Sequence, residues 1–506
     1  MSPCGDRPSI PTLRSVRVGA STGLPPTDQD PDTSETLFAR GHEEEISSLR
    51  APTYEGSLER SRGIRNFLLD GVYLGGLCFV VPYLALTGKA RRVLEHIPRR
   101  SRDVPRRAAG KPCLWLHGVS VGEILSARSL LRLFQAEFPD WDVVLSTTTR
   151  AGLEVARIHY PGLSIVSYPF DMSFLVQRAF DRIQPDIVVI VEHELWPNFL
   201  WHAQACGVPV VMVNGRMSER SFRGYRWMSR FLRWPPPAVV TFCVEDAASA
   251  ECYRKLGVPA DRIHVTGNLK FDNAPSPASG MRESLGLNGS EWVLVGASTH
   301  AGEEDILLDS FGSLYGEDAQ ARLIIAPRNV ARVDELSGLV QKKGFQALRW
   351  SEVRGASGPY NAAAPWHQNG HGEVLIVDTL GELDRIASAA DVVFVGGSLV
   401  PFGGHNVIAP AGLGRPVVIG PHFSNFRSVV STFIERKALL VAQDAGDFTS
   451  KLQELRRDPG MATRMGTRAR DTVSSHVGAS GRTLDVLKGL LERIDGRSKA
   501  GFLTHR

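Results

Sequence analysis

Cysteine is scarce in this chain. Six occur in 506 residues, at Cys4, Cys78, Cys113, Cys206, Cys243 and Cys252, and none forms a CxxC pair. That spacing argues against a zinc ribbon or a disulfide framework. Their Val, Phe and Leu neighbours mark them instead as small buried hydrophobes in a reducing compartment. Excess charge is also lacking: 58 Lys and Arg stand against 54 Asp and Glu, a formal +4, so no general nucleic-acid footprint is present and no nucleic-acid partner is expected. The sequence contains no GxxxxGK[ST] loop, and no GxGxxG follows the first apolar run of either half described below, so ATPase and dinucleotide-binding readings lose support. HExxH is missing, and His193, His202 and His405 lack ligand spacing. No metal or other cofactor is expected.

Ordinary apolar content, 43% of the chain, allows large cores, and the length suggests about three structural units. Residues 1–60 are rich in Pro, Ser, Thr and charge, with seven acids between Asp28 and Glu45. They cannot bury enough apolar area to offset their ordering entropy and read as a disordered extension. Residues 64–90 read differently, because Gly71 to Gly88 carries no charge between Asp70 and Lys89. As a helix that run just reaches the hydrocarbon thickness of a bilayer, which predicts a membrane anchor, with a hydrophobic core helix as the alternative. Lys89, Arg91, Arg92, Arg99, Arg100, Arg102, Arg106 and Arg107 follow it against Glu95 and Asp103. The positive-inside tendency then puts the bulk of the chain on the cytoplasmic face, held also by anionic phospholipid.

From Cys113 onward short β-branched runs alternate with amphipathic stretches. Runs at 113–117, 142–146, 186–191, 208–213, 239–243 and 263–266 are nearly continuous in apolar residues, as expected of strands buried on both faces of a parallel sheet. Ile124, Ala127, Leu131 and Phe134 share one helical face between the first two. A second set lies at 292–295, 323–326, 374–377, 392–395, 416–419 and 439–441. Two doubly wound α/β domains, 111–272 and 290–475, are the natural packing. Asn273–Gly280 would link them, 355–372 would be an inserted surface loop, and 476–506 a helical tail. Both domains open alike, with Ser120-Val-Gly-Glu123 and Ser298-Thr-His-Ala-Gly-Glu303 after the first strand.

Ligands of open parallel sheets bind beyond the carboxyl ends of the strands. The residues there are polar: His117 to Glu123, Glu192-His-Glu-Leu-Trp-Pro197, Asn214-Gly-Arg216 and Gly267 to Asp272, then Gly296 to His300, Pro327-Arg328, Gly381-Glu-Leu383, Gly396-Gly-Ser398 and Gly403-Gly-His-Asn406. Gly396-Gly397-Ser398 and Gly403-Gly404 are candidate phosphate cradles, or else marks of tight helix–strand packing. Glu123 is either a general base or a favourable first-turn carboxylate. Glu192 and Glu194, if buried, need a cationic partner or a proton, and Lys270 can be that partner; capping or Arg pairing is the plainer reading of Glu194.

The motifs HGVSVGE, EHELWPN, NGRMSERSFRGY, GNLKFD, GASTHAGEE, PRN and FVGGSLVPFGGHN, spread over about 64–475, resemble the 3-deoxy-D-manno-octulosonic acid (Kdo) transferases of lipopolysaccharide biosynthesis. The resemblance implies a GT-B glycosyltransferase: two Rossmann-like domains facing a cleft, behind a membrane-anchor helix at the bacterial inner membrane. It implies inverting transfer of Kdo from CMP-Kdo to the lipid A precursor. Glu123 falls on the family's general base, and Glu192 and Lys270 on its transition-state stabilisers. The binding set is Ser120, Gly122 and Arg216, with Ser298, Thr299, Pro327, Arg328, Gly381, Glu382, Leu383, Gly396, Gly397, Ser398, Gly404, His405 and Asn406. The chain departs from the family pattern at His193, at Asn329 and at Ala409, which stands where an acidic ribose contact is expected. Loss of a charged hydrogen bond there would forfeit about 1.5–3 kcal/mol. Ala409 motivates an alternative, a GT-B enzyme with another nucleotide sugar; a catalytically silent scaffold is the second.

Overall fold

The computed structural model describes residues 69–71, 73–75 and 110–503, apart from 218, 230–234, 276–278, 288, 318–319 and 354–371. The expected 1–60 extension, the basic flank 89–107 and nearly all of the 355–372 insertion lie outside the described residues. Two parallel sheets organise the rest. The N-terminal sheet contains β1 (Cys113–His117), β2 (Asp142–Thr147), β3 (Ser164–Ser167), β4 (Ile187–Val191), β5 (Val210–Gly215), β6 (Val239–Val244) and β7 (Ile263–Val265), in the order β3-β2-β1-β4-β5-β6-β7. The C-terminal sheet contains β8 (Trp292–Thr299), β9 (Ala321–Pro327), β10 (Gln346–Arg349), β11 (Glu373–Ile376), β12 (Val392–Val395), β13 (Val417–Ile419) and β14 (Leu440–Val441), in the order β10-β11-β9-β8-β12-β13-β14.

Strand periodicity accounts for the layering. Along β1, Cys113 and Trp115 enter the core on one face while Leu114 and Leu116 enter the other; along β12, Val393 and Val395 oppose Val392 and Phe394. Both faces are covered, so apolar residues occupy every position. Ile124, Ala127, Leu131 and Phe134 are all buried, but their face is built from two helices, Val121–Ser126 and Arg128–Glu137, joined at Ala127. The chain order reverses between β1 and β4 in the first sheet and between β8 and β12 in the second. The polar segments after these strands therefore occupy the two switch points, where open α/β sheets bind ligands.

The 476–506 tail is not an appendage. Helix Ala479–Leu503 returns to the N-terminal half, where Ala479, Leu484, Leu487 and Leu491 join the core beside Leu114 and Leu116. Asp272, just after β7, accepts hydrogen bonds from the Gly478 N–H at 2.6 Å and from the Ser480 N–H, tying down the start of that helix.

The single N-terminal membrane anchor expected over 64–90, and the inner-membrane localisation drawn from it, are corrected. Among the described residues no helix is long and apolar enough to cross a membrane. The described start of that stretch, 69–71 and 73–75, is helical and makes polar contacts with the N-terminal half. The Tyr73 hydroxyl donates to Asp171 at 3.0 Å, and Asp70 accepts from the Ser173 N–H and from Asn198 Nδ2, both at 3.0 Å. Two aspartates at helix starts thus hold the segment against protein, which an apolar count cannot register. Residues 76–90 lie outside the described residues.

Candidate active site

Glu123 sits in the first turn of Val121–Ser126. Ser120 caps that helix, its Oγ accepting from the Glu123 N–H at 3.2 Å. In return one Glu123 carboxylate oxygen accepts from Ser120 Oγ at 2.9 Å and the other from the Val119 N–H at 2.6 Å. The first-turn reading and the base reading are therefore compatible, because each oxygen keeps a second lone pair. Burial pushes this carboxyl up to about 7 and the nearby charge of Glu192 pushes the same way, against the downward pull of the two hydrogen bonds. Gly122 beside it is exposed.

Glu192 follows β4 in a left-handed conformation, φ 63°, an arrangement that costs a non-glycine residue about 1–3 kcal/mol. Its carboxylate lies 3.1 Å from Lys270 Nζ, and Lys270 also stands 5.8 Å from the ring centre of Phe426 in the C-terminal half. Glu194 accepts from Trp196 Nε1 at 2.7 Å, which is neither the capping nor the Arg pairing expected of it, and burial raises its carboxyl. His193 bonds the Tyr253 hydroxyl through Nε2 at 2.6 Å, and burial pushes it down to about 4, so it is neutral near pH 7. Arg216 is half-buried after β5 and adds its charge to this group.

Glu245 carries no sequence signal of its own, and Asn214 is marked in the sequence only as one of the polar residues after a strand. Burial pushes Glu245 up to about 7, partly offset by Lys270. Asn214 donates to Glu245 at 3.2 Å while its Oδ1 accepts from the Leu269 N–H at 2.8 Å, so a buried amide positions the turn that carries Lys270. Asn214 has φ 55°, and an Asn after a strand is one of the few residues that adopts this conformation readily. That was the available signal.

In the C-terminal half the phosphate-cradle expectation needs correction. Glu303, fully buried, accepts from the N–H groups of Gly397 at 2.7 Å, Ser398 at 2.9 Å, Leu399 at 2.9 Å and His300 at 3.0 Å. The Gly396 N–H donates to Ala297 and the Gly404 N–H to Gly397. The chain's own carboxylate occupies the nest, so Gly396, Gly397, Ser398 and Gly404 have no such N–H left for a phosphate. What faces outward is a histidine pair. His300 and His405 meet Nε2 to Nε2 at 2.8 Å, Phe402 stacks on His300 at 4.0 Å, and burial and Arg328 hold His405 down at about 4. Arg328 is exposed after the buried Pro327 and is anchored by its own N–H to the Thr299 carbonyl at 2.9 Å. Ser298, φ 56°, sits where the register of β8 against β9 shifts between Ala297 and Thr299, and the Thr299 hydroxyl donates to the buried Glu304 at 2.9 Å. Gly381, Glu382 and Leu383 follow β11, with Glu382 paired to Arg385 at 3.6 Å. Asn406 Oδ1, just ahead of the short helix Ile408–Gly412, accepts from the Ile408 N–H at 2.9 Å.

The structure thus gathers Glu123, Glu192, Arg216 and Lys270 at one switch point, and Ser298, Thr299, Arg328 and His405 at the other. The first group can accept a proton and offset negative charge; the second presents an exposed guanidinium and two imidazoles to an anion.

Residues 92–273 match the family model described as 3-Deoxy-D-manno-octulosonic-acid transferase (kdotransferase). The chain is similar to the 3-deoxy-D-manno-octulosonic acid transferase of Haemophilus influenzae, 30% identical over 386 residues, 75% of this chain and 87% of the relative. It is similar to that of Bordetella pertussis, 33% identical over 393 residues, again 75% and 87%. Among solved structures, UDP-GlcNAc 2-epimerase from Neisseria meningitidis bound to UDP-GlcNAc aligns with a TM-score of 0.50 at 12% identity, covering 75% of this chain and 100% of that one. This likeness shows the two-domain fold alone. With its motifs in order and two relatives covered over most of their length, the chain belongs to the 3-deoxy-D-manno-octulosonic acid transferases, a family of glycosyltransferases.

Proposed function

We propose that this chain transfers Kdo from CMP-Kdo to a hydroxyl of a lipid A precursor, with inversion, without a metal, and with Glu123 as the general base. The acceptor oxygen loses its proton to Glu123 and forms a bond to the anomeric carbon of Kdo. The bond from that carbon to the CMP phosphate oxygen breaks, and CMP leaves with the electron pair. The observation that carries this reading is the placement of Glu123: half-buried in the first helical turn after β1, with one hydrogen bond and one spare lone pair on each carboxylate oxygen, where burial pushes the carboxyl up to about 7. Such a group ionises near neutrality and still accepts a proton well.

Lys270 offsets negative charge that develops between the domains, and Arg328 steadies the phosphate. The lipid acceptor is supported by apolar side chains at the same end of the N-terminal sheet: Phe170 is 39% exposed, Phe174 59% and Trp196 40%, in segments that follow β3 and β4. Product mass spectrometry tests the reading. Incubation with CMP-Kdo and tetra-acylated precursor should add whole Kdo units to the lipid; unmodified lipid at full enzyme loading would refute it.

Ala409 supports a second reading, the same chemistry with a different nucleotide sugar. It lies half-buried in the first turn of Ile408–Gly412 and offers no acceptor to a ribose hydroxyl. Calorimetric titration decides: tighter binding of CMP than of UDP favours the first reading, and the reverse order favours the second.

A further inference from the structure

His300 has no role in the function proposed so far, yet its geometry is more constrained than that of most groups around it. Its ring lies nearly parallel to that of His405, 8° between planes, with the Nε2 atoms 2.8 Å apart. One side of each ring is fixed: Phe402 covers His300, and a Cβ on Gly397 would come within 3.0 Å of the His405 ring. Two imidazole lone pairs cannot face one another at this distance, so one Nε2 carries a hydrogen and the other accepts it. In the neutral pair the accepting ring then holds its own proton on Nδ1, and the donating ring has a bare Nδ1. Neither Nδ1 has a hydrogen-bond partner among the described residues, and both side chains are only half-buried. The outer edges of the pair are open.

The surroundings keep the resting pair uncharged. Burial opposes a charge on either ring, Arg328 opposes it on both, and Arg332 opposes it on His300. Glu303 and Glu304 favour a charge on His300, but Glu303 is engaged with four N–H groups and Glu304 with the two terminal nitrogens of the Arg332 guanidinium, each at 3.1 Å. An oxyanion brought between Arg328 and the pair reverses that balance, since a second proton turns the bare Nδ1 into a donor.

We propose that His300 and His405 form a single proton-sharing unit that binds an oxyanion of the donor, phosphate or sugar carboxylate, and takes up a proton from solvent as it does so. This rests on the donor reading above. It adds His300 to the binding residues and couples donor binding to pH.

Calorimetry in buffers of different ionisation enthalpy counts the protons. Wild type is titrated near pH 7 with CMP in one arm and with free Kdo in the other; His300→Gln and His405→Gln, checked for unchanged thermal unfolding, are titrated in parallel. Titration of the free ligand is common to all proteins and cancels in the comparison. Wild type should take up more protons than either variant in at least one arm, which also identifies the oxyanion, and each variant should bind that ligand about tenfold more weakly. Equal proton counts and equal affinities in wild type and His300→Gln overturn the inference while leaving the donor reading intact. Wild type that binds neither CMP nor free Kdo overturns both.

Discussion

Leu269 and Phe271, two positions apart on one turn, are buried in different cores. Leu269 packs with Leu114, Val189 and Val213 under the N-terminal sheet. Phe271 packs in the C-terminal core and stacks against Phe433 at 6.4 Å and His476 at 4.8 Å. Lys270 between them is therefore fixed relative to both domains by its neighbours. Its ammonium lies between a carboxylate of one half and an aromatic ring of the other, and its placement depends on the domains keeping their mutual orientation.

Lys270→Met should therefore impair turnover rather than donor affinity. An electrostatic donor of this type is worth about 10²–10³ in kcat, and the donor's nucleotide is read as binding in the other domain. Steady-state kinetics with parallel CMP titration checks this: kcat falls by that factor while CMP affinity stays within about twofold of wild type. A fall in affinity with unchanged kcat contradicts it.

Glu303 stands where Glu123 stands, after the first strand of its domain, and its surroundings give it the opposite role. Fully buried and engaged with four N–H groups, it is a structural pin. Glu303→Ala leaves those donors unpaired and should destabilise the protein by about 3 kcal/mol or more. Denaturant unfolding should show a lower midpoint, with a smaller loss for Glu303→Gln, which retains an acceptor oxygen.

Asp272 secures the return of the C-terminal helix through the Gly478 and Ser480 N–H groups. Asp272→Ala removes a cap worth about 1 kcal/mol. Hydrogen exchange should accelerate at the start of Ala479–Leu503, and change little in the strands of the C-terminal sheet.

The sequence exposes much of this because strands buried on both faces must be apolar at every position. The two strands it conceals, Ser164–Ser167 and Gln346–Arg349, both lie at sheet edges. Edge strands are short and partly exposed, with burial patterns as weak as half-buried throughout, so neither composition nor alternation marks them. The return of Ala479–Leu503 was equally hidden, because an amphipathic helix does not reveal which domain it packs on. At the site, residue types after each strand pointed to Glu123, Glu192 and Lys270, which the structure brings together. They could not separate a glycine nest awaiting phosphate from one already filled by Glu303, since that depends on a carboxylate about a hundred residues away in sequence. Asp70 and Asp171 lay beside or beyond an apolar run whose hydropathy outweighed two polar side chains.

Glu123 as the base is the central claim, and its pH dependence tests that claim most directly. With the carboxyl raised to about 7, free enzyme below that pH is protonated and cannot accept the acceptor's proton, so kcat/KM should rise with pH and level off above about 7. Glu123→Gln should abolish turnover across the range while CMP binding measured by calorimetry is unchanged. A Glu123→Gln enzyme that retains substantial turnover with the same rising limb would contradict the account.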